Sequence, residues 1–95
     1  MNKLTYEKDE YLARLLGYET KIIGQRTHIL LEGKWKGFQT TNDLGKIKLL
    51  RLMQKRKDWD KFLTWFAAFE WIDLLLDNTG RFREAVIEFL EEQGE

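Results

Sequence analysis

The hydrophobic pattern of this 95-residue chain changes its period twice, and this change limits the fold more than any other feature. Residues 5–16 place apolar side chains at helical spacing. Residues 19–39 form short β-branched and aromatic runs between glycines, and helical spacing returns from residue 40 onward. The pattern predicts an α+β fold: an N-terminal helix, a three-stranded antiparallel meander, then three helices packed on the sheet. A chain of this length builds one core, so a single domain is expected over residues 1–95.

The first part of the chain predicts a helix followed by two hairpins. Residues 5–16 carry one apolar stripe, formed by Tyr11, Leu12, Leu15 and Leu16. Gly17 is the expected helix stop. The runs KII, THILL and KWKGF follow within residues 19–39 and are separated by the short turns GQRT and EGK. Such runs joined by tight turns are typical of adjacent antiparallel strands.

Three helices are predicted after the sheet. The first begins within residues 40–43, which offer several N-cap side chains, and its expected inward stripe is Leu44, Ile47, Leu50 and Met53. The second, DWDKFLTWFAAFEWIDLLLDN (residues 58–78), begins at an Asp58 cap and is apolar almost all round. It is therefore expected to be the buried central helix, or to leave a surplus face as a subunit interface. The last, residues 81–93, turns Phe82, Ala85, Val86, Phe89 and Leu90 inward.

The chain is neutral overall, but its charges are segregated. The segment KIKLLRLMQKRKDW, residues 46–59, holds six basic residues and one acid. Residues 1–32 have five basic and five acidic residues, residues 33–61 have nine and three, and residues 62–95 have two and eight. Such asymmetry indicates a surface for nucleic acid or an acidic partner, or segments that neutralise each other within a fold or between subunits. Because the opposite charges lie in neighbouring segments, self-neutralisation is favoured.

The sequence shows no constellation of residues for catalysis or cofactor binding. It has no cysteine, and its one histidine, His28, is expected on the sheet surface rather than in a metal site. The common nucleotide-binding, nucleophile and zinc-hydrolase motifs do not occur. Glu70, Asp73 and Asp77 share a helix face, but acids at this spacing are typical of a solvated face. The chain is expected to be neither an enzyme nor a cofactor-binding or metal-binding protein.

The segment GKWKGF, residues 33–38, has two interpretations. Lysines interleaved with Trp35 and Phe38 are typical of proteins that bind single-stranded nucleic acid. In a half-buried strand, the same alternation places Trp35 in the core and Lys34 and Lys36 in water, and this structural interpretation is favoured.

The predicted helix over residues 58–78 is rich in tryptophan. Trp59, Trp65 and Trp71 recur every six residues, a spacing that points them in different directions. Aromatic side chains dominate interface energetics, so surplus aromatic surface would make residues 59–77 a docking or dimerisation element.

Nothing in the sequence indicates export or membrane insertion. The start, MNKLTYEKDEYLARLL, carries charges every few positions and no apolar run of signal-peptide type. No segment has the roughly 20 apolar residues of a membrane span. A cytoplasmic protein without a membrane partner is expected.

Four segments in order, YLARLLGYE, FQTTNDLGKIKLLRLM, an apolar helix and TGRFREAVIEFLEE, resemble the small phage and prophage ABA-sandwich domain. The matching positions are residues 12–18, 38–50 and 85–90. The resemblance implies a phage or mobile-element origin and supplies no catalytic residue. It also implies action by binding a host protein, including antiviral-defence components such as CRISPR effectors.

These observations predict a non-catalytic protein that binds and modulates, most simply by inhibition, a host macromolecule in the host cytoplasm. The alternatives are a nucleic-acid-binding protein with a basic face and a structural protein that self-assembles through residues 59–77. The candidate partner-binding residues form a basic set, Lys34, Trp35, Lys36, Lys48, Arg51, Lys55 and Arg56, and an acidic set, Glu84, Glu88, Glu91 and Glu92.

Overall fold

The computed structural model describes residues 5–68, 71–77 and 79–93, and it confirms the α+β class. The elements in chain order are α1 (Thr5–Leu15), β1 (Thr20–Ile23), β2 (Arg26–Leu31), β3 (Lys34–Gly37), α2 (Asp43–Gln54), α3 (Trp59–Phe66), α4 (Trp71–Leu76) and α5 (Arg81–Gln93). One continuous cluster of buried apolar side chains draws on every helix and on the central strand. The described elements therefore share a single core.

Helix α1 ends at the predicted glycine. Gly17 has a φ of 92°, in the left-handed region that favours glycine. The Tyr18 amide donates to the Ala13 carbonyl at 3.1 Å, and the Gly17 amide donates to the Arg14 carbonyl at 3.0 Å. This pair of bonds is the Schellman pattern, and it turns the chain from α1 toward the sheet.

The three strands form the predicted antiparallel meander, in the order β1-β2-β3. Both connections are two-residue turns whose central residues have positive φ. In the first turn φ is 55° at Gly24 and 62° at Gln25; in the second it is 51° at Glu32 and 78° at Gly33. Positive φ at both positions defines the type I′ turn, whose twist matches that of the strands. The register pairs Ile29 with both Thr20 and Lys36.

Helix α1 covers one face of the sheet, and we call this the inner face. It packs on β1 and β2, and the Thr27 hydroxyl donates to the Tyr6 carbonyl at the contact. Thr27 and Ile29 are buried there. Paired residues in antiparallel strands point to the same side, so the outer face carries Lys21, His28, Leu30 and Trp35.

The predicted helix over residues 58–78 is wrong as a single element. Helix α3 ends at Phe66, where the Ala68 amide donates to the Trp65 carbonyl in a tight three-residue turn, and α4 begins at Trp71. Residues 69, 70 and 78 of the predicted helix lie outside the described residues. The Asp58 cap is also wrong, because this carboxylate makes no cap bond and instead accepts from Arg56. No helix in the described part of the chain has the length and apolar character to cross a membrane.

Helix α5 occupies the central position that was predicted for residues 58–78. Its bounds match the prediction, and all five predicted inward residues are buried. Arg83 and Ile87 are buried as well, so most of its circumference lies inside the protein. The Phe62 ring of α3 lies 5.2 Å from the Phe89 ring, and Trp65 lies 5.4 Å from Phe89. Helix α3 therefore buries one face on α5 and leaves Leu63 exposed.

The expected inward stripe of α2 is wrong in its first half. Leu44 and Ile47 are 64% and 51% exposed, whereas the buried side is formed by Gly45, Lys46, Leu49, Leu52 and Met53. The Asn42 side chain caps the helix by accepting from the Gly45 amide at 2.7 Å. The outer side of α2 consequently mixes Leu44 and Ile47 with basic residues.

Candidate anion-binding surface

The basic segment of residues 46–59 does not act as one block, because α2 and the following turn send its charges in different directions. Lys46 is buried, and its Nζ donates to the Asp77 carbonyl at 2.7 Å, just beyond the C-terminal end of α4. A cation is favoured at a helix C-terminus. The same Nζ lies 3.5 Å from an Asp43 carboxylate oxygen. Lys46 therefore joins α2 to α4 and is not part of a binding surface.

Arg56 also forms an ion pair within the fold. Its Nε and a terminal nitrogen donate to the two Asp58 carboxylate oxygens at 2.9 and 3.1 Å. This paired geometry is among the strongest that an ion pair can adopt, and the Arg56 hydrogen bond holds the pKa of the Asp58 carboxyl below its usual value. The positive charge of Arg56 is neutralised locally.

Three basic side chains of this segment face outward in a line, and we call them the basic row: Lys48, Arg51 and Lys55. Their spacing of three and four residues places them on one side of the helix. Within residues 5–68, 71–77 and 79–93, no carboxylate lies within 4 Å of any of them. Their charge is exposed to solvent.

Direct neutralisation of the positive segment by the acidic segment is not observed among the described residues. The ion pairs of residues 33–61 stay within that segment, as Lys46 with Asp43 and Arg56 with Asp58. The acidic segment instead reaches the N-terminal helix, where Lys8 lies 3.1 Å from Glu84. The favoured interpretation of self-neutralisation therefore has no ion pair to support it in this part of the chain.

A pocket of about 190 Å³ lies where the outer face of the sheet meets the first turn of α2. Arg26 and His28 line it from β2, and Lys48 lines it from α2. Its remaining lining residues are Gly37, Phe38, Gln39, Asn42, Leu44 and Gly45, so none of the described residues around it is acidic. The His28 Nδ1 lies 3.1 Å from the Arg26 carbonyl oxygen, which only accepts, so Nδ1 is the donor. The prediction of His28 on the sheet surface agrees with its outer-face position.

The favoured interpretation of GKWKGF is wrong for Trp35 and confirmed for the exposure of Lys34 and Lys36. The register pairs Trp35 with Leu30 on the outer face, where the indole is 42% exposed and the Lys21 Nζ lies 5.3 Å from the ring centre. Lys34 and Lys36 point to the inner face and remain exposed, because β3 is an edge strand beyond the area that α1 covers. Phe38, one residue past β3, provides the core contact instead. Lys34 and Lys36 thus lie on the side of the sheet away from the pocket.

The acidic set lies on α5 as predicted. Glu84, Glu88, Glu91 and Glu92 are exposed. Two of these residues are held by α1: Glu84 by Lys8, and Glu91 by the Tyr11 hydroxyl, which donates to it at 2.8 Å. The hydrogen bond to Glu91 raises the pKa of the Tyr11 hydroxyl. These contacts give half of the set a role in joining α1 to α5.

A buried polar cluster escaped prediction. The Arg83 guanidinium lies 3.2 Å from the Asp9 carboxylate and donates to the Thr5 carbonyl, while the Thr40 hydroxyl donates to Asp9. Burial raises the pKa of the Asp9 carboxyl, and the Thr40 hydrogen bond and the Arg83 charge act against that rise. Their helical spacing could have indicated the cluster. Asp9 precedes buried Leu12 by three residues and Arg83 precedes buried Val86 by three, so each lies on the buried side of its helix.

Among the described residues, no group of histidine, aspartate or glutamate side chains could hold a metal ion. Asp73 and Asp77 are among the residues to which this applies. Asp77 instead organises the start of α5, accepting from the Thr79 hydroxyl and from the Thr79 and Arg81 amides. The Thr79 hydroxyl bond lowers the pKa of the Asp77 carboxyl. Glu70 lies outside the described residues.

Comparisons of the chain with protein-family models, with curated proteins and with solved structures gave no match. The resemblance to the ABA-sandwich domain stays a prediction.

Proposed function

We propose that this chain is a non-catalytic binding protein that modulates a host macromolecule, and that its basic row contacts nucleic acid. The observation that carries the proposal is the basic row itself, three adjacent cations on one helix face without a described carboxylate partner. Three unpaired cations in a line attract a polyanion, because each phosphate contact releases condensed counterions. The acid-free lining of the adjacent pocket extends the positive character of this side.

The outer face of the sheet supports the same proposal. Trp35 is exposed there beside Lys21, and base stacking on an aromatic ring next to a cation is a recurrent feature of single-strand binding. The structural interpretation of this segment, which competed with binding, required a buried Trp35. The resemblance to phage domains implies a host target. By binding a nucleic acid, this protein would inhibit a host defence or nucleic-acid-processing component that needs the same nucleic acid.

The proposal is tested by fluorescence anisotropy with a labelled single strand and a labelled duplex. For the single strand, three phosphate contacts predict an affinity loss of roughly 20-fold between about 50 and 200 mM salt. The variant Lys48→Gln/Arg51→Gln/Lys55→Gln should weaken binding at low salt and flatten the salt dependence, because it removes those contacts. Equal affinities of this variant and the parent would contradict the proposal.

A matched control separates the basic row from net charge. Lys57, Lys61 and Arg81 are also exposed and have no described ion-pair partner. The variant Lys57→Gln/Lys61→Gln/Arg81→Gln therefore changes the charge by the same amount without altering the row, and it should keep most of the binding. Should the parent bind neither probe at low salt, the proposed contact of the basic row with nucleic acid fails.

A second candidate function, self-assembly, is favoured by one observation. On α4, Ile72 and Leu76 are 54% and 72% exposed, and Leu63 of α3 is also exposed. Helices α3 and α4 follow each other in the chain, and exposed apolar side chains that lie together are typical of interfaces. We propose these three described positions as part of the predicted interface over residues 59–77, with a second copy of the chain as the partner.

A further inference from the structure

The pocket beside the basic row has the donor chemistry of a phosphate site. Its three charged or ionisable lining side chains are Arg26, His28 and Lys48, drawn from β2 and α2. Arg26 and Lys48 have no described carboxylate within 4 Å. Guanidinium and ammonium groups form short, strong hydrogen bonds to phosphate oxygens. An anion that enters the pocket meets cations from two elements and no described acid.

The size and the walls of the pocket suit one phosphate group rather than a larger ligand. Its volume of about 190 Å³ lies below the range of roughly 300–1,000 Å³ that is usual for drug-sized ligands. Gly37 pairs with His28 on the outer face, and the missing side chain at this position leaves the space open. Phe38 and Leu44 complete the walls with apolar side chains.

The pocket is continuous with the basic row, because Lys48 belongs to both. From Lys48 to Lys55 the row runs for about 10 Å along α2, at 1.5 Å per residue. A phosphate in the pocket would therefore be followed by further phosphates along the row. A phosphate monoester carries about −1.5 to −2 charges at neutral pH, so the cations of the pocket favour it over a singly charged internal diester.

We propose that this pocket binds the terminal phosphate of a nucleic-acid strand whose backbone continues along the basic row. The proposal rests on the proposed function and specifies which part of the nucleic acid is recognised. It predicts end recognition: a strand with a terminal phosphate binds more tightly than the same strand with hydroxyl ends.

The test uses internally labelled single strands of one sequence with a 5′-phosphate, a 3′-phosphate or neither. At least one phosphorylated strand should bind roughly tenfold or more tightly than the unphosphorylated strand, the range expected for charge-assisted hydrogen bonds. Whichever strand shows the gain identifies the recognised end. Equal affinities for all three strands overturn the proposal.

Gly37→Val is the sharpest variant. An added Cβ at Gly37 meets nothing within 4 Å, and valine suits a strand, so the variant takes up part of the pocket at little cost to the fold. It should abolish the gain from the terminal phosphate. Arg26→Gln should reduce the same gain, while Lys34→Gln, on the opposite face of the sheet, should not. A gain that survives both pocket variants contradicts the proposal.

Failure of the pocket and failure of the proposed function give different results. If no strand binds at all, the proposed function fails, and the pocket is then tested with inorganic phosphate by two-dimensional ¹H–¹⁵N NMR. Phosphate-dependent shifts at residues 26–28, 37–39 and 44–48 that disappear in Gly37→Val support an anion site independent of nucleic acid. Absence of such shifts in the parent overturns the site as well.

Discussion

Three buried charged residues hold this small domain together. Asp9, Lys46 and Arg83 are each almost fully buried, and each joins elements that are distant in the chain. The Asp9 carboxylate links α1 to α5 through Arg83 and to the segment before α2 through Thr40. Burying charges costs several kcal/mol per ion, so such groups are tolerated only where hydrogen bonds and an opposite charge compensate. Their contacts join α1 to α5 and α2 to the end of α4.

Asp9→Asn should destabilise the protein by about 3–5 kcal/mol, because it leaves the Arg83 charge buried without its carboxylate. The loss is measured as the free energy of unfolding in urea. The control Asp73→Asn changes an exposed acid without a described partner and should lie within about 0.5 kcal/mol of the parent. Since the whole domain is stable by roughly 0.05–0.15 kcal/mol per residue, the single variant can unfold outright.

If Asp9→Asn unfolds, the role of the buried ion pair is tested with the double variant Asp9→Leu/Arg83→Met. Replacing both members of a buried ion pair by apolar residues is often neutral or stabilising, so the double variant should recover most of the lost stability. A double variant less stable than Asp9→Asn, or an Asp9→Asn protein within about 1 kcal/mol of the parent, would show that the pair does not have this role.

The rotation of α2 about its own axis decides what the protein presents to a partner. The helix contacts the segment of residues 39–42 through Gly45, where an added Cβ would lie 1.5 Å from the Gln39 carbonyl oxygen. Only glycine allows so close an approach of the two backbones. With Gly45 inward, Lys46 and Leu49 are buried beside it, and the basic row is turned to solvent.

Gly45→Ala should destabilise the protein although helix propensity predicts the opposite. In an exposed helix interior, alanine is favoured over glycine by about 1 kcal/mol. At this position the backbone of Gln39 has to move, and overpacking of this kind costs about 1–3 kcal/mol. Thermal unfolding followed by circular dichroism measures the effect. Gly37→Ala, which meets open space, is the control and should change stability little; a Gly45→Ala protein more stable than the parent would refute the packing argument.

Among the described residues, two sets of exposed side chains are candidate interaction surfaces. One combines the basic row with the pocket and the outer face of the sheet. The other exposes Leu63, Ile72 and Leu76 of α3 and α4, while α3 buries its opposite side on α5 through Phe62 and Trp65. The first suits a polyanion by charge, and the second suits an apolar partner because removing its side chains from water is favourable.

If the second surface is an interface, the mass measured by light scattering should exceed one chain at micromolar concentration. Ile72→Gln/Leu76→Gln should return it to one chain, because both side chains are more than half exposed and their replacement leaves the core intact. The control Leu44→Gln/Ile47→Gln alters the exposed apolar residues of α2 and should leave the mass unchanged. A strict monomer for the parent removes the assembly hypothesis.

Local chemistry was enough to predict most of the secondary structure. The stop at Gly17, the two hairpins and the bounds of α5 follow from glycine, short turns and hydrophobic period, all of which act within a few residues. The break between α3 and α4 was missed because the apolar residues around it give no contrasting pattern on which a helix end could be placed. An almost wholly apolar stretch carries no information about which side is buried.

Tertiary packing decided the rest, and with it the candidate site. Helix α2 offers two overlapping apolar stripes, and the contact of Gly45 with Gln39 selects the one that exposes Leu44, Ile47 and the basic row. Charges with similar local surroundings have opposite fates: Lys46 finds the Asp77 carbonyl 31 residues away, whereas Lys48 faces solvent. A helical period identifies which residues share a stripe, but the partners that compensate a buried charge come from distant parts of the chain, and only the folded arrangement brings them together.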